Sequence, residues 1–360
     1  MRPCADDRCR SAACSRAAAP IIGCAVSVIC GTLPARMPIE PIDKAQRMFQ
    51  YAVRRILQSI PILFVVLTLV FVVVRVLPGD PAVAALGDYA SKEAVEALRV
   101  KLGLNAPLWL QYLRFLGNLA QGDLGRSAIT GYAVGRQVVS VLPHTIELTF
   151  SAIILGYILG IPLGISAAVK RNSFVDYFNR VFSLLGLSVP AFYLGILLIL
   201  VFSIKLKVFP VVGAGDFSDL SANLRHLFLP ALALGLLMTA YVTRMTRSSM
   251  LDVLREDYVR TAQAKGLVDR VVLYKHVLRN ALIPIVALGG LYAVVLIGSS
   301  VMIEIVFSRP GLGKLMVGAI KQRDYTTLQS VMVIYAVIVV IINLLTDLIY
   351  GFIDPRIKYK

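Results

Sequence analysis

Six long apolar stretches recur along the chain, and they limit its fold more than any other feature. They cover residues 56–74, 146–169, 181–204, 227–243, 281–303 and 330–350. A helix of about 20 apolar residues crosses the hydrocarbon core of a bilayer, and none of the stretches alternates as a barrel strand does. With 58% hydrophobic residues and a mean hydropathy of +0.76, the chain is too apolar for a soluble protein. We predict an all-α integral membrane protein with six transmembrane helices.

Lysine and arginine are distributed unevenly between the segments that connect these stretches. Basic residues precede the first stretch, fill the short connection after the second, and number eight between Arg244 and Arg279. The connection 78–145 carries acidic and basic residues together. Because basic connections stay in the cytoplasm, we expect cytoplasmic termini and an extracytoplasmic 78–145 loop. This topology and contact with anionic membrane lipid account for the net charge of +16, so no nucleic-acid partner is expected.

The first 47 residues differ from the rest of the chain. They hold all five cysteines in a stretch rich in Ala, Arg and Pro that lacks helical periodicity. The cysteines lack the paired spacing of a zinc site, and the apolar run before the fourth is too short for a signal peptide. We expect residues 1–47 to be a disordered extension, or the natural start to be Met37 or Met48. Residues 48–360 then form the membrane domain.

Three glycines recur at intervals of four in the second apolar stretch: Gly156, Gly160 and Gly164. This spacing places them on one face of a helix, and small residues let helices approach closely in lipid. We predict helix packing at this face, with packing inside the chain favoured over packing between subunits. Pro190 lies within the third stretch and indicates a kink or a boundary there.

Polar residues inside membrane spans are costly, so each is a candidate for a functional site. Glu147 begins the second span, Glu304 ends the fifth, and Asn343 and Asp347 share one face of the last. We take these four residues as candidates for lining a transport pathway. For the two glutamates, solvation at the level of the lipid headgroups is an equally good interpretation. Asp347 lies deeper, which favours a cavity or a buried partner.

The extracytoplasmic connection shows helical patterns of its own. Ser91 is placed to cap a helix that runs to residue 102, and Pro107 suits the first turn of a second helix. Apolar residues from Leu108 to Leu119 give the second helix one apolar face. That face fits a helix on the membrane or the bundle, and it equally fits a docking surface for a soluble protein outside.

No catalytic chemistry is visible in the chain. The nearest approach to a phosphate-binding loop, residues 311–315, lacks the upstream glycine and the hydroxyl residue. The three histidines are far apart and form no H-E-x-x-H motif, so no metal site is expected. The chain is therefore not expected to be an enzyme or its own ATPase.

The charged segment 244–280 interrupts the apolar pattern on the predicted cytoplasmic side. Its apolar positions follow helical spacing up to Val259, and a second amphipathic stretch begins after Gly266. Glycine adopts a left-handed conformation easily, so Gly266 is expected to end one short helix and turn the chain into another. We predict a helix-turn-helix projection that contacts a soluble partner.

The residues of this segment resemble the EAA loop of ABC-transporter permeases, in the branch that serves dipeptides, oligopeptides and nickel. Residues 260–262 read Arg-Thr-Ala where that loop has Glu-Ala-Ala, a form familiar in the peptide branch, and Gly266 follows at the expected offset. Further landmarks agree, namely R-V-L-P-G-D-P at 75–81, G-D-L-G-R-S at 122–127, L-S-V-P at 187–190, F-S-R-P-G-L-G at 307–313 and D-P-R-I at 354–357. The resemblance covers about Met48 to Ile357.

The resemblance implies a type I ABC importer permease (MetI-like) fold in the cell inner membrane. It implies a second homologous permease subunit, two ATPase subunits that bind ATP and Mg, and an extracytoplasmic substrate-binding protein. The residues that the family's loop would use to contact the ATPase are Tyr258, Arg260, Thr261, Ala262, Ala264, Lys265, Gly266 and Leu267.

The expected cargo is a di- or oligopeptide, with nickel, glutathione or another small solute as the alternative. A secondary transporter would show inverted repeats, which are not evident in the sequence. A membrane scaffold without transport activity is the remaining alternative.

Overall fold

A computed structural model describes residues 44–76, 81–86, 90–101 and 103–353. The chain divides into two compact units, Met1–Gln50 and Tyr51–Lys360. Within the first unit only residues 44–50, which are helical, are described. The expectations for residues 1–43 of the cysteine-containing extension and for the D-P-R-I motif at 354–357 lie outside the described residues, whereas residues 44–47 of that extension are helical.

The described residues are mostly helical. The helices are α1 (Lys44–Val76), α2 (Pro81–Leu86), α3 (Lys92–Lys101), α4 (Leu108–Ala120), α5 (Val134–Val169), α6 (Phe174–Ser188), α7 (Ala191–Leu198), α8 (Leu220–Val253), α9 (Asp257–Ala264), α10 (Asp269–Val271), α11 (Arg279–Val306), α12 (Leu312–Gln322) and α13 (Tyr325–Ile353). A π-helical turn, Ile199–Lys205, continues α7, and a second, Val272–Leu278, joins α10 to α11.

Among the described residues, five helices are long and apolar enough to cross a membrane: Gln50–Arg75, Val134–Val169, Leu220–Val253, Asp269–Val306 and Tyr325–Ile349. Helix α6 and the segment Ala191–Lys205, which is α7 with its π-helical turn, make a sixth span when they are counted as one, bent by 101° at a short break. The expectation of a continuous helix over 181–204 is therefore wrong. Pro190 explains the break, because proline keeps the preceding residue out of the helical region, and Val189 is extended with φ −91° and ψ 123°.

Several helices extend beyond the apolar stretches that predicted them. Helix α5 begins at Val134 rather than at 146, and α8 continues to Val253 rather than ending near 243. The connection predicted at 244–280 shrinks accordingly to the residues between α8 and α10. Amphipathic end turns lack the apolar run that marks a span, so hydropathy alone places these boundaries too close to the membrane centre.

Helices α5 and α8 form the centre of the bundle, and glycine allows their close approach. A Cβ atom added at Gly160 would lie 2.7 Å from the Cβ of Val242, and one added at Gly164 would lie 2.4 Å from the Cβ of Thr246. Gly156 faces Met238 in the same way. The face predicted for helix packing thus packs against α8 of the same chain. Around it, Leu148, Leu234 and Ile285 are among the buried apolar residues of the core.

Both predicted helices before α5 are present. The Ser91 hydroxyl accepts a hydrogen bond from the Ala94 backbone N–H at 3.2 Å, so Ser91 caps α3 as expected. Helix α4 follows Pro107 and lies against α1, where Tyr112 contacts Phe71 with ring centroids 5.2 Å apart. The Tyr112 and Thr68 hydroxyls hydrogen-bond at 2.6 Å. Of the two interpretations of α4, this contact shows packing on the bundle.

Candidate coupling surface

Helix α9 is a short helix with a well-defined end between α8 and α10. The Gly266 N–H donates to the Gln263 carbonyl at 2.9 Å, and the Leu267 N–H donates to the Ala262 carbonyl at 3.4 Å. These two bonds form a Schellman motif, which requires a left-handed residue after the helix. Gly266 supplies it with φ +77°. The turn predicted at Gly266 is therefore present.

The inner face of α9 packs on an apolar cluster that joins three long helices. Val259 and Ala262 are 1% and 7% exposed. We call the other five buried members of this cluster the α9 mount. They are Ala168, Met250, Val272, Val277 and Ala281. They come from the end of α5, the end of α8 and the start of the helix that continues into α11. Because close-packed interiors transmit displacement, a push on α9 reaches all three helices.

The outer face of α9 is polar and accessible. The Arg260 and Asp257 side chains are 73% and 99% exposed. The other exposed candidates are Tyr258, Thr261, Ala264, Lys265, Gly266 and Leu267. Ala262 is different, because it points into the α9 mount. Ala262 lets α9 lie close to the bundle, and its part in coupling to a partner stays a prediction.

The sequence predicted a second independent short helix after Gly266, and this prediction is wrong. Residues Asp269–Val306 form one long apolar helix, and its first turns pass through the π-helical turn Val272–Leu278. The Asn280 side-chain amide donates to the Tyr258 hydroxyl at 2.8 Å and so ties α9 to this helix. The coupling surface is thus one short helix set against the start of a membrane span.

A buried ion pair that the sequence did not predict lies beside the α9 mount. The Asp176 side chain is fully buried and binds Arg247 through two contacts, Oδ1 to Nε at 2.6 Å and Oδ2 to Nη2 at 2.9 Å. The Asn172 backbone N–H donates to the same carboxylate at 3.0 Å. Bidentate pairs of this kind fix geometry. This one holds the turn between α5 and α6 against the end of α8.

A second buried polar network lies at the opposite end of the bundle, around Glu304. Its carboxylate accepts hydrogen bonds from the Thr145 hydroxyl at 2.7 Å and from the backbone N–H groups of Gly313 and Lys314 at 2.8 and 3.1 Å. Glu304 is fully buried, so headgroup solvation is wrong for this residue, whereas its place on a transport pathway stays a prediction. The carboxylate satisfies the free N–H groups at the start of α12.

Glu147 completes this network from α5. It forms an ion pair with Arg309, which is fully buried, and it accepts a hydrogen bond from the Asn223 side-chain amide. The Glu147 side chain is 21% exposed, so it is largely removed from solvent at the span end. Both glutamates thus hold the loop between α11 and α12 in place, a function that burial and hydrogen bonding reveal and the sequence does not.

Comparison with known proteins decides the family. Residues 160–359 match the family described as the binding-protein-dependent transport system inner membrane component, and residues 48–149 match the N-terminal part of such membrane components. This chain belongs to that family. The match covers both α9 and the network around Glu304.

Two relatives of the permease are similar over their whole length. The dipeptide transport system permease protein DppB of Alkalihalophilus pseudofirmus is 41% identical over 333 residues, which is 87% of this chain and 100% of the relative. The glutathione transport system permease protein GsiC of Escherichia coli is 42% identical over 313 residues, with the same coverage.

A solved structure shows the fold. The permease resembles a chain of the inward-facing MetNI methionine ABC transporter with a TM-score of 0.50 and 19% identity, over 60% of this chain and 95% of that chain. The all-α, six-span type I ABC importer permease (MetI-like) fold expected from the sequence is confirmed. The chain is accordingly a multi-pass membrane subunit of an ABC importer.

The remaining two pathway candidates of the permease lie on α13. Asp347 forms an ion pair with Arg55 of α1, Oδ2 to Nη1 at 3.0 Å, and both side chains are more than one third exposed. The Tyr51 hydroxyl also donates to the Asp347 backbone carbonyl at 3.4 Å. Asn343 is exposed on the same helix. Asp347 thus has a partly exposed basic partner on α1 and not the buried partner that the sequence predicted.

Proposed function

We propose that this permease forms half of the transmembrane pathway of a peptide importer and that α9 is the surface on which a separate ATPase subunit docks. The single observation that carries the proposal is the construction of α9. Its polar face is open to a partner, while Val259 and Ala262 hold its other face on the α9 mount. A solvated loop between two helices needs no such mount.

The mount explains how docking would drive transport. The α9 mount contains residues of α5, α8 and the helix that continues into α11, so a displacement of α9 reaches three membrane spans together. An importer changes state only when its partners bind the two states with different affinity. In this proposal, ATP and Mg bound by the ATPase subunits bias one state, and the loaded binding protein biases the same equilibrium from the other side.

The remaining parts of the assembly follow from the same proposal. Half a pathway needs a second, homologous permease subunit, and we infer a heterodimer. The α9 surface would then be cytoplasmic together with both termini, and α12 would lie on the extracytoplasmic side, where the binding protein docks. The basic connections of the chain support this orientation. In this arrangement the permease itself catalyses no reaction, and ATP hydrolysis belongs to its partners.

The proposed cargo is a dipeptide or short oligopeptide. A full-length relative at 41% identity is a dipeptide permease, and this supports the assignment. Glutathione is the second candidate, because another full-length relative, at 42% identity, transports it. Glutathione is itself a small peptide, so both relatives favour a peptidic cargo over nickel.

Transport in proteoliposomes tests the proposal. The permease would be reconstituted with its partner permease, ATPase subunits and binding protein, and uptake of a labelled dipeptide, glutathione and nickel would be measured with ATP or with ADP. We expect ATP-dependent uptake of the dipeptide, with glutathione second. Uptake driven by an ion gradient in the absence of ATP would show a secondary transporter and contradict the proposal.

A further inference from the structure

A cavity of about 320 Å³ lies beside the α9 mount, between α6 and the end of α8. Its polar lining residues include Asn179, Arg180, Ser183, Thr243, Arg244 and Arg247. Of these residues only Arg247 takes part in a contact described for the coupling surface, its ion pair with Asp176. Three of its lining residues are arginines.

The cavity carries an excess of positive charge. No Asp or Glu lines it in the part of the chain that the structure describes. Among the described residues, Asp176 is the one carboxylate that pairs with arginines of the cavity. It forms a bidentate bond to Arg247 and a longer contact of 3.5 Å to Arg180. One negative charge therefore faces three positive ones. Such a space attracts an anion, and arginine recognises the oxygens of phosphate particularly well.

A buried hydroxyl in the same lining has no partner. Ser183 is 5% exposed, and its Oγ forms no hydrogen bond within the part of the chain that the structure describes. Buried hydroxyls are rarely left unpaired. Next to it, Asn179 is held in place by hydrogen bonds from its amide to the Leu163 carbonyl at 3.2 Å and the Ser166 hydroxyl at 3.0 Å. The Ser183 hydroxyl is thus free to donate a hydrogen bond to a bound anion, and the neighbouring Asn179 side chain is held in place.

The position of the cavity indicates the source of the anion. The apolar stretches of the sequence begin at 181 and end at 243 on the two helices that line it, so the cavity lies at the level of the bilayer surface. Leu184 and Leu187 form its apolar side, and Leu184 is 59% exposed. A phosphate headgroup beside the arginines would leave its acyl chains along these leucines.

We propose that this cavity binds the phosphate headgroup of an anionic phospholipid. Basic pockets between membrane helices commonly hold such headgroups. The site would be occupied from the leaflet that surrounds the α9 end of the bundle. It belongs to the permease chain itself and is independent of the identity of the cargo.

Lipid retention tests the proposal directly. The assembled importer would be reconstituted in phosphatidylcholine with phosphatidylglycerol as the minor component and then extracted, and phosphatidylglycerol retained per permease chain would be measured by native mass spectrometry. Each arginine near an anionic headgroup contributes about a fivefold preference. The double variant Arg180→Gln/Arg244→Gln is therefore expected to retain phosphatidylglycerol about 30-fold less strongly. Arg247 is left unchanged because it also holds Asp176.

Arg171→Gln is the matched control, because Arg171 is an exposed arginine at the same end that does not line the cavity. We expect it to retain phosphatidylglycerol like the unaltered chain, and the single variant Arg244→Gln to lose about fivefold even if the double variant assembles poorly. Equal loss in Arg171→Gln would overturn the proposal. So would displacement of phosphatidylglycerol by inorganic phosphate alone or by a dipeptide, since the first would indicate a free anion and the second a cargo site.

Discussion

The two ends of the permease bundle are built on opposite principles. At the α9 end, an apolar cluster supports a short helix whose outer face is polar and exposed. At the α12 end, a buried polar network around Glu304 and Arg309 fixes a loop whose backbone would otherwise lack partners. Apolar contacts tolerate small displacements, whereas hydrogen bonds to a buried carboxylate depend on direction. Helix α9 on its apolar mount is therefore suited to transmit movement, whereas the Asp176–Arg247 pair near it and the network around Glu304 hold fixed shapes.

Replacing Glu304 with alanine should have the largest effect, because it removes the acceptor on which the α12 end depends. The Thr145 hydroxyl and two backbone N–H groups would be left without a partner in a buried site. Each such loss costs about 1–3 kcal/mol, so we expect the three together to cost at least about 3 kcal/mol. Glu304→Gln keeps one carbonyl oxygen and should lose clearly less. Unfolding of both variants in detergent measures the difference, and equal stability would contradict the network.

The second prediction concerns α5 and α8, which connect the two ends. Gly160→Ala places a methyl group 2.7 Å from Val242 Cβ, and overpacking of this kind costs about 1–3 kcal/mol. Gly298 of α11 is the matched control, because a Cβ atom there meets nothing within 4 Å. Gly298→Ala should be neutral or slightly stabilising, since glycine weakens helices. The free energies of unfolding of the two alanine variants test this prediction, and equal values would contradict it.

Much of the fold was predictable from the sequence, since spans and basic connections depend on composition over long windows. The six spans, the helix after Ser91 and the turn at Gly266 all follow from local pattern. The break at Pro190 was only indicated as a kink or boundary, because its 101° angle depends on packing. Helix ends near 134 and 253 were missed, since amphipathic turns carry no hydropathy signal.

The candidate site was predictable only in part, for a physical reason. The exposed residues of α9 form a continuous segment, so their pattern is visible in one stretch of sequence. The buried networks join residues that lie far apart in the sequence. Glu304 and Thr145 are 159 positions apart, and Asp176 and Arg247 are 71 positions apart. The motifs at 122–127 and 307–313 were visible only as family landmarks. The structure shows that Ser127 donates to Asp324 at 2.6 Å and that Arg309 pairs with Glu147.

The third prediction tests whether the turn at Gly266 couples ATP hydrolysis to uptake, as distinct from stabilising the fold. Gly266→Val should strain the left-handed turn by about 1–2 kcal/mol without any steric contact, since a Cβ atom there meets nothing within 4 Å. We expect ATP hydrolysis to continue while uptake falls. Gly266→Asn is the control, because asparagine tolerates this conformation. The ratio of uptake to ATP hydrolysis in proteoliposomes measures coupling, and an unchanged ratio in the valine variant would contradict the function given to the turn.

The smallest effect on stability is expected at Asp347. Its ion pair with Arg55 is partly exposed, and such pairs contribute less than about 1 kcal/mol. Asp347→Leu should therefore change unfolding little. If Asp347 lines the pathway, as its position in the last span predicts, uptake should fall in well-folded protein. Arg55→Leu is the matched change on the partner residue. Normal uptake by Asp347→Leu would rule out a pathway function and leave a purely structural pair.

A cross-linking measurement tests the central claim, that the outer face of α9 docks the ATPase. All five native cysteines lie within the first 30 residues, so they can be replaced with alanine before a single cysteine is introduced. Arg260→Cys, at the 73% exposed position of α9, should cross-link to the ATPase subunit in the assembled importer. Arg136→Cys, exposed near the start of α5 at the other end, should not. An intact complex in which residue 260 gives no more cross-link than residue 136 would contradict the account.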